Sequence, residues 1–403
     1  MALTHVRAKI GEQWVTLTYN GATGRYEAEL TAPGTSHNQP GDYHPVTVEI
    51  TSSSGETATA TAEIMPALRL EVNEATAPVL TLVSPAPGYL QTGTPAIVFE
   101  AVDEPGGSGV NPDSLSLAGA AAAAIPNGYR FTWTPPGGWA DGPHTVTASV
   151  RDFDGNSAAV SRAYIVDTVP PALYLQKPFQ RHVVDDEAVT VAGEVWDATS
   201  SPVAVTVAGN AVPVSGGRFS VKVPLAIGEN TIPIVAADGA GNTATASVYM
   251  IRLVTDRVQA DVDKLLDMYS RRAAGRTWTG EELEWFNTAA CLRGSYDSTD
   301  RNRVGVAVRF LAGELQRRGY DIKVRPKTDW TEEYGPTVSD LDTYLQNVEA
   351  VRAAQGFHAP EIPKTMRFPT LAGANAIEKA LVETDAYFTN YSAWSAGEIS
   401  GGE

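Results

Sequence analysis

Carboxylates and flat aromatic rings are the side chains of this sequence best placed to do chemistry. Asp152, Asp154 and Asn156 alternate around Gly155, and Asp238 and Asn242 flank Gly241 in a second turn of the same kind. Oxygens so spaced, closed by Asp103-Glu104 with Asp113 from another loop, are the donors that a calcium ion takes. Asp and Asn at such positions also bond their own turn backbone and tolerate a left-handed conformation. The turn role is the one the spacing favours, so no cofactor is assigned and calcium stands as the alternative.

The second set is aromatic. Trp278, Tyr296, Trp330, Tyr334 and Trp394 fall in or near loops of the last third of the chain. Flat rings stack on sugars, which suits contact with a cell-wall glycan, and packing between helices is the competing use of each ring.

Reaction chemistry is missing from the pattern. No zinc-protease helix, P-loop, dinucleotide fingerprint or nucleophile elbow occurs. The histidines (His5, His37, His44, His144, His182 and His358) are scattered; only His37 and His44 are close, in a Pro/Gly loop where turn bonding or solvent accounts for them. Asp185-Asp186 and Glu332-Glu333 are chain neighbours that point apart, unlike an acid/base pair. Cys291, the single cysteine, excludes an intramolecular disulfide and reads, beside Ala289 and Ala290, as a small buried hydrophobe. The expectation is a protein that is not an enzyme, with no catalytic, cofactor-binding or metal residue.

Composition bounds the partners. With 30 Lys+Arg against 47 Asp+Glu the formal charge is −17, a surface that repels phosphate backbones and anionic lipid. Nucleic acid is not an expected partner. The acidity forms no tail: 12 Lys+Arg and 24 Asp+Glu precede Val254, and the rest follow. A chain of 403 residues suits three or four domains. Met1 to Ile10 goes directly into alternating strand pattern, and no apolar run is long enough to span a bilayer, so assembly in the cytosol is expected.

The elements that must carry these residues change kind at one seam, Ile251 to Arg257. Before it apolar residues recur at every second position between turns, and after it at every third or fourth. Three stretches end alike, in a strand, a Gly-containing turn and a returning strand: Val46–Ile50 to Thr57–Ile64, His144–Val150 to Ala158–Val166, and Thr231–Val235 to Thr243–Ile251. The turn glycines, Gly55, Gly155 and Gly241, are spaced by 100 and 86 residues, the size of an immunoglobulin-like sandwich. Thr76-Ala-Pro78 and Asp167-Thr-Val-Pro170-Pro171 punctuate the joints, and proline stops strand pairing across them. Three modules placed end to end would reach on the order of 100 Å. Ala118–Ala124, low in complexity, reads as an edge strand or loop, and Trp133, Trp139 and Trp196 as core anchors.

After the seam, Val258, Val262, Leu265, Leu266 and Tyr269 predict a helix capped by Thr255-Asp256. Thr279-Gly-Glu-Glu282 is a capping box for a second. A third starts at Ser298-Thr-Asp300 and is apolar on two sides through Val304, Val306, Ala307, Val308, Phe310, Leu311 and Leu315. Its Gly305 and Gly313 predict a close neighbour, flanking Arg309. Tyr320–Arg325 alternates like a strand. Thr337 and Asp340 cap a fourth helix (Leu341, Tyr344, Leu345, Val348, Val351), and a last one from about Thr370 turns Ile377, Leu381 and Phe388 inward. The fold class is thus three tandem all-β immunoglobulin-like sandwiches, 1–75, 76–168 and 169–253, followed by a mainly α-helical domain, 254–403.

The Asp-x-x-Gly-Asn turns and the Asp-Thr-x-Pro-Pro joint make the repeats resemble bacterial immunoglobulin-like domains, from which the first departs with Thr51-Ser-Ser-Ser-Gly55. The helical part is similar to a domain that recurs in tail-associated and other virion proteins of phages and prophages of Gram-positive bacteria. Val254-Thr-Asp-Arg257, Ala260-Asp-Val262, Glu284-Trp285, Gly294-Ser-Tyr296, Thr299-Asp-Arg-Asn-Arg-Val304, Leu311 to Tyr320, and Lys327-Thr-Asp-Trp330 with Pro336 carry the likeness. It departs at Glu332-Glu333-Tyr334-Gly335, where a shorter loop is expected. The resemblance implies a virion structural protein, a tail or baseplate appendage for host-surface attachment. Its expected partners are other virion tail proteins, a host cell-surface glycan and further copies of itself. The alternative is a bacterial surface adhesin or a glycan-binding accessory region of a cell-wall-degrading enzyme.

Overall fold

The computed structural model describes residues 3–178, 181–287, 293–333, 335–354, 356, 360–367 and 369–395. Cys291 and His358 lie outside them. The chain forms two compact units, Met1–Val169 and Pro170–Glu403.

The first unit holds two β modules. In the first module Leu3–Ile10 pairs with Gln13–Thr16 and with His44–Ser52, and Thr57–Ala60 and Arg69–Leu70 pair with the latter strand. A separate hairpin, Thr18–Asn20 with Arg25–Glu27, completes it. Among its described residues only Val6 and Ala62 are buried apolar side chains, so this module is thinly cored. The second module is a sandwich of two four-stranded sheets. Alternation turns Ile97, Phe99 and Ala101 of one sheet and Val146, Ala148 and Val150 of the other into one core with Phe131 and Tyr164.

All three expected hairpins form. Gly142–Asp152 pairs with Ser157–Val166, Gly228–Ala237 with Thr243–Arg252, and the first module's pair is His44–Ser52 with Thr57–Ala60. Gly55, Gly155 and Gly241 have φ of 86°, 95° and 93°, the left-handed region that only glycine enters without strain. Ala121–Ile125 is the expected edge strand, and Trp133 and Trp139 pack on the second core. Trp196 departs from expectation: it is 64% exposed, because it faces outward at a strand end.

Among the described residues the second unit contains a third sandwich and five helices: α1 (Gln259–Ala273), α2 (Gly280–Phe286), α3 (Ser298–Arg317), α4 (Val338–Ala353) and α5 (Leu371–Ser395). The change of secondary structure falls where the sequence places it, but packing runs across the seam. Val183, Ile251 and Leu253 of the sandwich share one hydrophobic core with Val304, Val308, Leu311, Leu345, Val348, Ile377 and Leu381. The expected separation of rod and head at 253/254 is therefore corrected: the third sandwich and the helices are one compact body.

Local expectations divide by whether their partners are near in sequence. The capping boxes of α2 (Thr279, Glu282) and α4 (Thr337, Asp340) form as expected. That of α3 uses Asp297 with Asp300, one residue earlier than predicted. Thr255 and Asp256 do not cap α1; Thr255 Oγ1 instead donates to Asp185 Oδ2 at 2.7 Å, and Val258 is the N-cap without a side-chain bond. On α1 Leu265 and Met268 are buried while Val258, Leu266 and Tyr269 are exposed. Tyr320–Arg325 forms no strand. Asn347 replaces the missing strand by bonding both N–H and C=O of Arg325 at 2.8 and 3.0 Å.

The two glycines of α3 differ. A Cβ on Gly305 would lie 2.1 Å from the Lys327 carbonyl oxygen, so the close approach expected there exists. At Gly313 nothing lies within 4 Å of that position, and Arg309 is exposed, which corrects the expectation for that glycine. Gly305→Ala is expected to destabilise the second unit by roughly 1–3 kcal/mol through overpacking. Gly313→Ala is expected to stabilise it by about 1 kcal/mol through helix propensity, both read from urea denaturation midpoints. Equal effects would contradict the assignment.

Candidate functional sites

Glu74, Asp103 and Asp152 converge where the first two modules meet, each offering an oxygen within 4.8 Å of the others. Asp152 ends a core strand and Asp103 directly follows one, so the alternation that buries the sandwich buries them also. Glu74 comes from the segment joining the modules. Its Oε1 accepts the Ser108 N–H at 2.7 Å and the Ser108 hydroxyl. Asp103 Oδ2 accepts Gly109 N–H at 2.7 Å; Asp152 accepts the Asn156 N–H and side-chain amide, each at 2.8 Å. Burial pushes the Asp103 carboxyl up to about 6; the Gly109 amide opposes this, and Glu104 and Glu74 add to it.

Of the oxygens the sequence suggested, Asp152 and Asp103 join the cluster. Asp154 Oδ2 accepts Thr35 Oγ1–H at 2.5 Å and Glu74 N–H at 2.8 Å instead. Asp113 sits in a short 3-10 turn capped by Asn111. Asp238 accepts the Gly241 and Asn242 amides, the turn role expected of it. Glu74 was missed, since nothing in its sequence context marks a carboxylate brought back across 29 residues to Asp103. His37 stacks on Phe153 at 4.6 Å and His44 Nε2 bonds the Gly34 carbonyl at 2.8 Å, so both histidines serve the loop.

Among the described residues the aromatics singled out in the helical part, Trp278, Tyr296 and Trp330, do not form one surface. Trp278 is half-buried among Tyr269, Phe286 and Arg272, and its Nε1–H donates to the Met268 carbonyl at 2.9 Å. Tyr296 lies under the Arg257 guanidinium, 5.0 Å from its ring centre, and shares a short hydroxyl bond with Tyr344. Burial, with the Glu378 carboxylate nearby, pushes the Tyr296 phenol up. Trp330 is 7% exposed, with Lys327 and Arg301 over its ring, and lines a cavity of about 140 Å³ with Gly305, Tyr344 and Asn347. Tyr334 lies outside the described residues. Trp394 is in α5, where only the backbone is described. Among the described residues no ring contact joins Trp278, Tyr296 and Trp330, and their packing explains their positions.

The densest chemistry is a buried network of four charges. Arg257 Nη2 donates to Asp300 Oδ1 at 2.8 Å and to Glu378 Oε1 at 2.6 Å. Arg303 reaches both Glu378 oxygens at 3.0 and 2.8 Å and also pairs with Asp300. The four side chains are at most 3% exposed. Two positive and two negative groups cancel, which is the condition for burying them. Burial works to raise the Glu378 carboxyl, but Arg303 and Arg257 outweigh it and hold it below the usual range. Glu378 Oε2 also accepts the Val254 N–H at 2.7 Å, and Asn375 pairs with the Arg257 backbone at both N–H and C=O, fastening the seam to α5. Asp385, about two turns further along α5, accepts the His182 and Val183 amides at 2.7 Å each. The sequence signal for this network was available: Asp300, Arg303 and Glu378 interrupt apolar helical faces beside Val304 and Ile377.

Comparison with known proteins bears on the third sandwich. The family model for glucodextranase domain B, a non-catalytic immunoglobulin-like domain, matches residues 171–252. Among solved structures, the fibronectin(III)-like modules of Clostridium thermocellum CbhA are 18% identical, with 43% of this chain and 94% of that chain covered and a TM-score of 0.31. A structure of titin domains is 13% identical, with 52% and 75% covered and a TM-score of 0.32. No curated protein matches the chain. The chain is a series of immunoglobulin- or fibronectin-like β-sandwiches with a helical C-terminal region.

Removing one member of the buried network leaves an unpaired charge inside. Arg257→Met is expected to cost roughly 3–5 kcal/mol of the second unit's stability, measured by urea denaturation followed by tryptophan fluorescence. A loss below about 1 kcal/mol, the worth of an exposed pair, would contradict the network's role.

Proposed function

We propose that the protein is a non-enzymatic structural component of a phage virion, a tail or baseplate appendage that takes part in attachment to the host surface. One observation carries this reading. Arg257, Asp300 and Arg303, which belong to the stretches resembling the helical domain of phage and prophage virion proteins, make up three quarters of the buried ion network. The likeness therefore lies in residues that specify how the helices dock on the seam. A domain defined by such a docking device, placed after β modules, suits a role in assembly and contact. In this reading the chain is assembled in the host cytoplasm, resides in the virion in several copies, and has tail proteins and a cell-surface glycan as partners.

A second reading has its own support. The match of residues 171–252 to a glucodextranase accessory domain favours a glycan-binding accessory region of a cell-wall-degrading enzyme, or a surface adhesin. Exposed Trp196, beside an open groove lined by Asp197, Ser201 and Gly216, is the ring best placed in this sandwich to meet a sugar.

Particles purified by density gradient from an induced culture separate the two. The expected result is that the chain bands with the particles at fixed stoichiometry and decorates the tail in immunogold images. Recovery only in the cell envelope, with retardation of the purified chain in gels containing wall polysaccharide and loss of that retardation in Trp196→Ala, would replace the first reading with the second.

A further inference from the structure

The joint between the first two modules buries negative charge with nothing positive beside it. Asp103 and Asp152 are 4% and 2% exposed, and Glu74 approaches from the joining segment to bring three carboxylates together. Among the described residues none of the three forms an ion pair. Hydrogen-bond donors occupy Glu74 Oε1, Asp103 Oδ2 and both oxygens of Asp152. Asp103 Oδ1 is buried and no donor reaches it, and the Glu104 carboxyl stands beside Asp103 as a further acidic group. A buried carboxylate oxygen left unpaired among like charges is among the costliest arrangements a fold can hold, unless a cation completes it.

Position 107 has no side chain, which lets its backbone approach the carboxylates. A Cβ there would lie 2.7 Å from Asp103 Oδ2 and 2.7 Å from Glu74 Oε2. Calcium binds oxygens at about 2.3–2.6 Å, so donors on its opposite sides stand roughly 4.6–5.2 Å apart. The three oxygens lie within 4.8 Å of one another, close enough for one ion to touch all three. Magnesium needs a tighter shell of about 2.0–2.1 Å and keeps most of its waters.

We propose that Glu74, Asp103 and Asp152 bind one calcium ion, and that the ion locks the first module onto the second. The surrounding loops are already in contact. Thr35 of the first module bonds Asp154, His37 stacks on Phe153, and Asn38 Nδ2 reaches the Gly106 carbonyl at 3.5 Å. A cation held between Glu74 and the second module's loops would draw these contacts tight, which matters for a first module with so small a core of its own.

The test uses the full chain, stripped with EDTA and titrated with CaCl2 in isothermal and differential scanning calorimetry. One site is expected, with affinity in the range of about 10 μM to 1 mM, and a rise in the melting temperature of the first unit. Asp103→Asn and Glu74→Gln are each expected to weaken binding at least tenfold, and Asp103→Asn to raise the melting temperature of the metal-free protein. Either variant suffices if the other fails to fold. Absence of heat and of any melting shift at about 10 mM CaCl2, far above the weakest such sites, would overturn the proposal. So would full calcium binding by both variants, or equal stabilisation by MgCl2.

Discussion

The second half of this molecule depends on the burial of four charges in a mutually neutral arrangement. Arg257 lies on the seam, Asp300 and Arg303 on α3, and Glu378 on α5, so a single network ties three separate stretches of chain to one point. Hydrophobic contact alone would let helices slide over the sandwich at little cost. Charge pairs with fixed hydrogen-bond directions admit one register. Val254, Asn375 and Asp385 extend the same logic to backbone amides, and the shared core of Ile251, Leu253, Val304 and Ile377 fills in around them.

The first unit handles buried charge differently. Glu74, Asp103 and Asp152 gather without a positive partner and are held by neutral donors, Ser108, Gly109 and Asn156. One site is complete within the polypeptide and the other is not. That contrast matches the cores: the second and third sandwiches have continuous apolar interiors, while the first has two buried apolar side chains among its described residues and relies on its neighbour. Stability is therefore unequal along the chain, lowest toward the N-terminal module.

For function, the consequence is that the helical region is not an independent head on a stalk. It is built onto the third sandwich, and Trp330 and Tyr296 are spent on packing, the first buried and the second held by Arg257 and Tyr344. The loop of Glu332, where the sequence departs from the family it resembles, closes the start of α3 by accepting the Ser298 N–H at 3.0 Å. Among the described residues the largest exposed ring of the second unit is Trp196, on the sandwich and away from the helices' own sequence.

Elements whose determinants are local were legible in the sequence. The three hairpins follow from alternation and a glycine that must adopt positive φ. The starts of α2 and α4 follow from a hydroxyl and a carboxylate three residues apart, and the inward face of α5 from Ile377, Leu381 and Phe388. What depended on distant partners was not. Alternation made Tyr320–Arg325 look like a strand, yet the backbone of Arg325 bonds an asparagine side chain on α4. Thr255 looked like a cap, yet it bonds Asp185 across the seam. Gly305 and Gly313 are alike in sequence, and only the position of the Lys327 carbonyl separates them. Charge behaves in the same way. Composition fixes how many carboxylates there are, but whether one is solvated, paired with arginine or crowded against its like depends on which segments folding brings within a few ångströms, because electrostatic energy is set by separation in space and by burial rather than by distance along the chain.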